Sequence, residues 1–151
     1  MNKPKIALTI AGTDPTGGAG VTADLKSFHS CGVYGMATIT SIVAQNTLGV
    51  QHIHNLETSW VKEQLDSIFS DELPQAIKTG MIATKETMEL IRDYLSTHAD
   101  IPYVLDPVML AKSGDSLMDD DTKDHLQSTL LPLADVVTPN IPEAEEITGL
   151  T

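Results

Sequence analysis

The sequence predicts an α/β fold of the doubly wound kind, a mostly parallel sheet with helices on both faces. Three observations carry that expectation. Strand-like and helix-like segments alternate along the chain. The strand-like runs are apolar throughout rather than at every second residue, so both of their faces are buried. Five of them end in glycine or polar residues, as strands do where a parallel sheet presents its carboxyl-terminal rim to a ligand. At 151 residues, with no internal repeat and no linker, residues 1–151 are expected to form a single domain.

The elements follow in order. Lys5 to Ala11 is a short apolar strand stopped by Gly12, and the glycine-rich loop Gly12 to Gly20 opens a helix over about Val21 to Ser30. Gly32 stands where a glycine ends a helix, and Met36 to Ala44, rich in Ile, Val and Thr, reads as the second strand. Trp60, Val61, Leu65, Ile68 and Phe69 fall at helical spacings, with Thr58 or Ser59 as the cap. Ala76 to Gly80 is a strand; Thr84 opens a helix carrying Met88, Ile91 and Leu95 on one face; Tyr103 to Pro107 is a strand stopped by proline. Asp119 to Leu130 is helical, Asp135 to Thr138 is a strand, and Pro142 occupies the first turn of a last helix.

Nine basic against twenty-one acidic residues give a formal charge of −12, which repels a phosphate backbone and argues against a nucleic-acid partner. A single nucleotide is not excluded, because backbone N–H groups and a helix N-terminus bind phosphate locally. No apolar stretch approaches the ~20 residues that cross a bilayer, and the start of the chain carries no cleavable signal pattern, so no membrane partner and a cytoplasmic location are expected. The single cysteine, Cys31, supplies neither a disulfide framework nor a clustered zinc site.

The strand ends deliver Gly12-Thr13-Asp14, Gln45-Asn46, Gly80-Met81, Asp106-Pro107 and Thr138-Pro139-Asn140 to one rim. Any one of these is what an ordinary loop contains; five together suggest a site. The loop Gly12 to Gly20 fits neither common phosphate template. Gly17 is followed by Gly18 and Ala19 rather than by the Lys and Ser/Thr of a Walker loop, and Gly-x-Gly-x-x-Gly cannot be drawn through its glycines.

Ala11-Gly12-Thr13-Asp14-Pro15-Thr16-Gly17-Gly18-Ala19-Gly20 with Asp24-Leu25-Lys26 resembles the opening of the hydroxymethylpyrimidine/phosphomethylpyrimidine kinase family of thiamine biosynthesis, in the ribokinase-like superfamily. Four further blocks match it: Gln45 to Val50, Lys78 to Met81, Asp106 to Met109 with Ala111 to Gly114, and Thr138 to Asn140 with Glu143-Ala144. The resemblance implies a ribokinase-like fold and ATP-dependent phosphorylation, with Mg²⁺, of 4-amino-5-hydroxymethyl-2-methylpyrimidine and of its monophosphate. It implies that Gly12, Asp24, Gln45, Gly80, Met81 and Val108 bind this small-molecule substrate. A carboxamide donates and accepts in the plane of an aminopyrimidine edge, and a carboxylate accepts from its exocyclic amine. Asp106, Lys112 and Asn140 are implied on the nucleotide and phosphate side, and Glu143 at Mg²⁺, directly or through water. Asn140 and Glu143 also have the spacing of a helix capping box.

Members of that family are longer, and the general base for the substrate hydroxyl lies in a Gly-x-Gly-Asp-type segment that this sequence lacks. No residue here is therefore expected to be that base, and the 151 residues, a truncated sheet, are expected to be inactive alone and to form a homo-oligomer through the unpaired edge. The competing readings are a pyridoxal/pyridoxine kinase on the same scaffold and a non-catalytic pyrimidine-binding module.

Overall fold

A computed structural model describes residues 3–109 and 117–150. Its most buried strand is β1 (Ile6–Ala11), covered at all six positions. Parallel pairing extends it in both directions, and the five-stranded sheet runs β2 (Tyr34–Ile39), β1, β5 (Ala76–Thr79), β6 (Tyr103–Leu105), β7 (Val136–Val137). The crossovers are α1 (Gly20–Ser30), α2 (Thr58–Phe69), α3 (Lys85–Thr97) and α4 (Asp120–Thr129); α5 (Ile141–Thr148) follows β7. The doubly wound design is the one expected.

Side-chain alternation sorts the two faces of the sheet. Leu8, Ile10, Ile77 and Leu105 point to one face and join Val61 and Leu65 of α2, Met88, Ile91 and Leu95 of α3 and Leu126 of α4 in a single core. Fully burying each such side chain is worth about 1.5–3 kcal/mol, so this face holds most of the stability. The opposite face carries the row Ala37–Thr9–Lys78–Val104–Val136, read across the sheet from the strand register. The helix α1 lies on this side, since its Asp24 accepts a hydrogen bond from Thr9 Oγ1 at 2.6 Å.

Two departures from the expected elements shape the site. The apolar run Met36–Ala44 is not one strand: it breaks at Thr40. The chain up to Ile39 stays in the sheet, whereas β3 (Ser41–Asn46) leaves it and pairs antiparallel with β4 (Gly49–Asn55). The break is held by polar groups. Thr40 N–H donates to Ala11 O at 3.0 Å, its hydroxyl donates to Met81 O at 2.8 Å, and the Gln64 amide satisfies both the N–H and the C=O of Ile39. The second departure is at α2, where Glu57 occupies the cap position without a side-chain bond and Thr58 instead meets Thr87 hydroxyl to hydroxyl at 3.2 Å. The later helices are capped: Thr84, Asp119 and Asn140 each accept a bond from the backbone N–H three residues on.

Candidate functional site

Parallel strands place their carboxyl ends on one rim, and here the β3–β4 hairpin folds over that rim to enclose an open cleft of about 810 Å³. Its first wall is the loop after β1. Gly20 begins α1 at φ 58°, and a Cβ there would stand 2.3 Å from Gly12 O, so only glycine lets the loop close on itself. Val21 N–H then donates to Gly12 O at 3.0 Å. The cap residue Ala19 has no side chain that could cover the first turn, and the start of α1, with its partial positive charge, lines the cleft.

Asp14 anchors this loop from beneath. It is 3 % exposed and accepts from Thr16 N–H at 2.8 Å, Thr16 Oγ1 at 2.8 Å and Gly18 N–H at 3.0 Å. Burial by itself raises its carboxyl, but hydrogen bonds from the Gln45 amide, Thr16 and Gly18 outweigh it and hold the pKa at about 2. Asp14 is therefore an anion at neutral pH, and Gln45 presents the rest of its carboxamide to the cleft. Thr13 ties down the hairpin: its Oγ1 accepts from Val43 N–H at 2.9 Å, and its own N–H donates to Ser41 O at 2.9 Å.

Asp24, Gln45 and Met81, brought by three different elements, line this one cleft, as do Gly12, Gly80 and Val108. Gly12 and Gly80 leave room for the side chains beside them. A Cβ at Gly12 would stand 2.8 Å from Met81 Cε, and one at Gly80 would stand 3.2 Å from Lys78 Nζ. Lys78 reaches up from β5 and lies 3.0 Å from Asp24 Oδ2, 3.1 Å from Asp24 Oδ1 and 3.1 Å from Asp106 Oδ2. Asp106 and Asn140 line the far side with Glu143. Lys112 lies outside the described residues.

The Asn140–Glu143 pair forms the capping box. Glu143 N–H donates to Asn140 Oδ1 at 2.9 Å, Asn140 N–H donates to Glu143 Oε2 at 3.0 Å, and Glu143 Oε1 faces Met109 N–H at 3.5 Å. The cap and the cleft are the same place, because α5 starts at the rim. Among the described residues no three acidic, histidine or cysteine side chains gather as a metal cage. Two carboxylates, Asp106 and Glu143, line the same cleft, and oxygen donors of this kind suit Mg²⁺, which keeps several waters.

Asp14, Thr13 and Lys78 are the site residues that sequence reasoning left without a role. For Lys78 a signal existed: a lysine inside a short apolar strand is costly unless it is paired.

Comparison with known proteins gives a consistent result. A family model described as phosphomethylpyrimidine kinase matches residues 14–151. The chain is 82% identical over 151 residues to the hydroxymethylpyrimidine/phosphomethylpyrimidine kinase of Staphylococcus aureus, a match that covers 100% of this chain and 55% of that protein. The crystal structure of phosphomethylpyrimidine kinase from Clostridium difficile 630 superposes with a TM-score of 0.89 at 47% identity, over 96% of this chain and 63% of that one. The pyridoxal kinase from Staphylococcus aureus in complex with pyridoxal superposes with a TM-score of 0.87 at 35% identity, over 99% of this chain and 55% of that one. The same enzyme in complex with AMP-PCP gives 0.86 at 36%, over 99% and 54%. The chain thus spans about half the length of the curated kinases it matches.

Proposed function

Because the chain belongs to the phosphomethylpyrimidine kinase family, we propose that it is the amino-terminal part of one ribokinase-like domain that phosphorylates 4-amino-5-hydroxymethyl-2-methylpyrimidine, and then its monophosphate, from ATP. One observation carries this reading: Asp24, Gln45 and Met81 line the same cleft as Asp106, Asn140 and Glu143, so a flat heterocycle and a phosphate chain can lie side by side.

Each residue then has a chemical task. The Gln45 carboxamide pairs with the pyrimidine edge, and the Asp24 carboxylate accepts from the exocyclic amine. Met81 packs its thioether on the ring face. The N-terminus of α1 faces anionic groups on the substrate, so a monophosphate is accommodated where the alcohol was. Asp106 and Glu143 are the residues that would hold Mg²⁺, whose part is to neutralise phosphate charge; Asn140 and Lys112 serve the nucleotide side. Phosphoryl transfer depends mainly on positioning and charge stabilisation, which these groups supply. A cytoplasmic setting and a homo-oligomer complete the proposal; among the described residues no helix is long and apolar enough to cross a membrane.

The test is turnover with ATP, Mg²⁺ and hydroxymethylpyrimidine, in this chain and in the chain continued by the remaining residues of the S. aureus relative. The continued chain is expected to phosphorylate the pyrimidine and the 151 residues alone are not. Appreciable turnover by the 151 residues would contradict the assignment of the base to the missing segment. A second reading, pyridoxal kinase, is favoured by the close superposition on that enzyme; comparing kcat/KM for the two alcohols in the continued chain separates them, with the pyrimidine expected to be preferred.

A further inference from the structure

We infer that Lys78 is a positioning residue: its ammonium, clamped between Asp24 and Asp106, fixes the Asp24 carboxylate for the heterocycle. The inference deepens the functional reading above and rests on it.

Lys78 projects from the sheet on the α1 side, in register with Thr9 and Val104. It is not a surface lysine, since its side chain is 19 % exposed, and Asp24 beside it is 18 % exposed. An ammonium has three N–H donors and no acceptor. Here they face both oxygens of Asp24, at 3.0 and 3.1 Å, and Asp106 Oδ2, at 3.1 Å. Asp24 Oδ2 accepts a second bond, from Thr9 Oγ1 at 2.6 Å. That leaves Asp24 Oδ1, with one partner, as the oxygen with the greater acceptor capacity for a ligand amine.

The charges give the arrangement its purpose. Asp24 and Asp106 flank the same small region of the cleft, and two carboxylates there repel each other unless a cation stands between them. Lys78 is that cation, so both carboxylates stay in place and neither turns out to solvent. Gly80 leaves room beside it: a Cβ there would stand 3.0 Å from Ala11 Cβ and 3.2 Å from the ammonium. A compact point charge suits this three-way contact, whereas the planar fork of an arginine does not. Lys78 has no place in the apolar core and needs no direct contact with the ligand: it acts through Asp24.

The experiment uses the chain continued by the remaining residues of the S. aureus relative and reads pyrimidine affinity by calorimetry alongside KM and kcat. Lys78→Met is expected to weaken pyrimidine binding by about 10–100-fold, the worth of a hydrogen bond to a charged group, and to raise KM far more than it lowers kcat. Asp24→Asn also weakens binding, and adding Lys78→Met to it is expected to cost less than about 2-fold more, because paired residues are not additive. Full multiplication of the two losses would overturn the inference. Lys78→Cys in a Cys31→Ser background, alkylated with 2-bromoethylamine to rebuild an ammonium, is expected to regain most of the affinity; no regain would also overturn it. This before-and-after comparison serves equally if Lys78→Met does not fold. Failure of the unsubstituted protein to bind hydroxymethylpyrimidine would count against the functional reading, whereas normal binding with an unaffected Lys78→Met would count against Lys78 alone.

Discussion

Asp14 does at the scale of one residue what the whole loop needs: it gathers two backbone N–H groups and a hydroxyl under a turn that lines the cleft. Its carboxyl titrates at about 2 rather than at 3.8, so the fold favours its anion. The sign follows from linkage. A depressed native pKa adds stability that is fully present above about pH 4 and is lost as pH falls toward 2, on the order of 2 kcal/mol. Asp14→Asn is therefore expected to be less stable than the parent at pH 7 by about that amount, with the gap closing near pH 2. Urea midpoints at the two pH values check this, and an equal gap at both would remove the carboxylate from the explanation. Residue-scale legibility was uneven. Gln45, Asp24 and Met81 carry side chains whose chemistry suits a ligand, whereas Asp14 serves its own loop through Thr16 and Gly18, and the partner of Lys78, 54 residues away at Asp24, has no local signature.

The β3–β4 hairpin is the element that sets the cleft, and it was the element least visible in the sequence. Met36 to Ala44 is rich in β-branched residues on both sides of Thr40, so strand propensity alone does not assign Ile39 and Ser41 to different sheets; the break depends on bonds to Ala11, Met81 and Gln64. Strand β4, with Gln51, His52 and His54 exposed, reads as a loop and is a strand only because β3 pairs with it. By contrast β1, β5, β6 and the helices α1, α3 and α4 were legible, since each has its own apolar pattern or cap. Thr13 is the hairpin's tie to the glycine loop, and a typical intramolecular hydrogen bond is worth about 1 kcal/mol. Thr13→Val is expected to raise amide exchange at Val43 and its β3 neighbours by about 5-fold while leaving β1 and β5 unchanged. Equal acceleration in the central sheet would mean that the tie stabilises the whole fold rather than the hairpin.

The whole molecule is lopsided. One face of the sheet is packed by α2, α3 and α4; on the other, among the described residues, α1 reaches Thr9 and Lys78, while Val136 at the far end of the row is 51 % exposed. Among the described residues β7 at that end pairs with β6 alone, and an exposed apolar edge invites pairing with another chain. The 151 residues alone are expected to self-associate, and Val136→Lys to shift them toward monomer; light scattering across a concentration series reads both, and a monomeric mass for the unsubstituted chain would refute it. The position of β1 has another consequence. Among the five strands of this sheet β1 comes earliest in the sequence yet lies between two others, and its neighbour β5 follows only after two helices and the hairpin. At a synthesis rate of ~5–20 residues per second, the apolar hexapeptide Ile6 to Ala11 waits several seconds before both of its flanks can be closed.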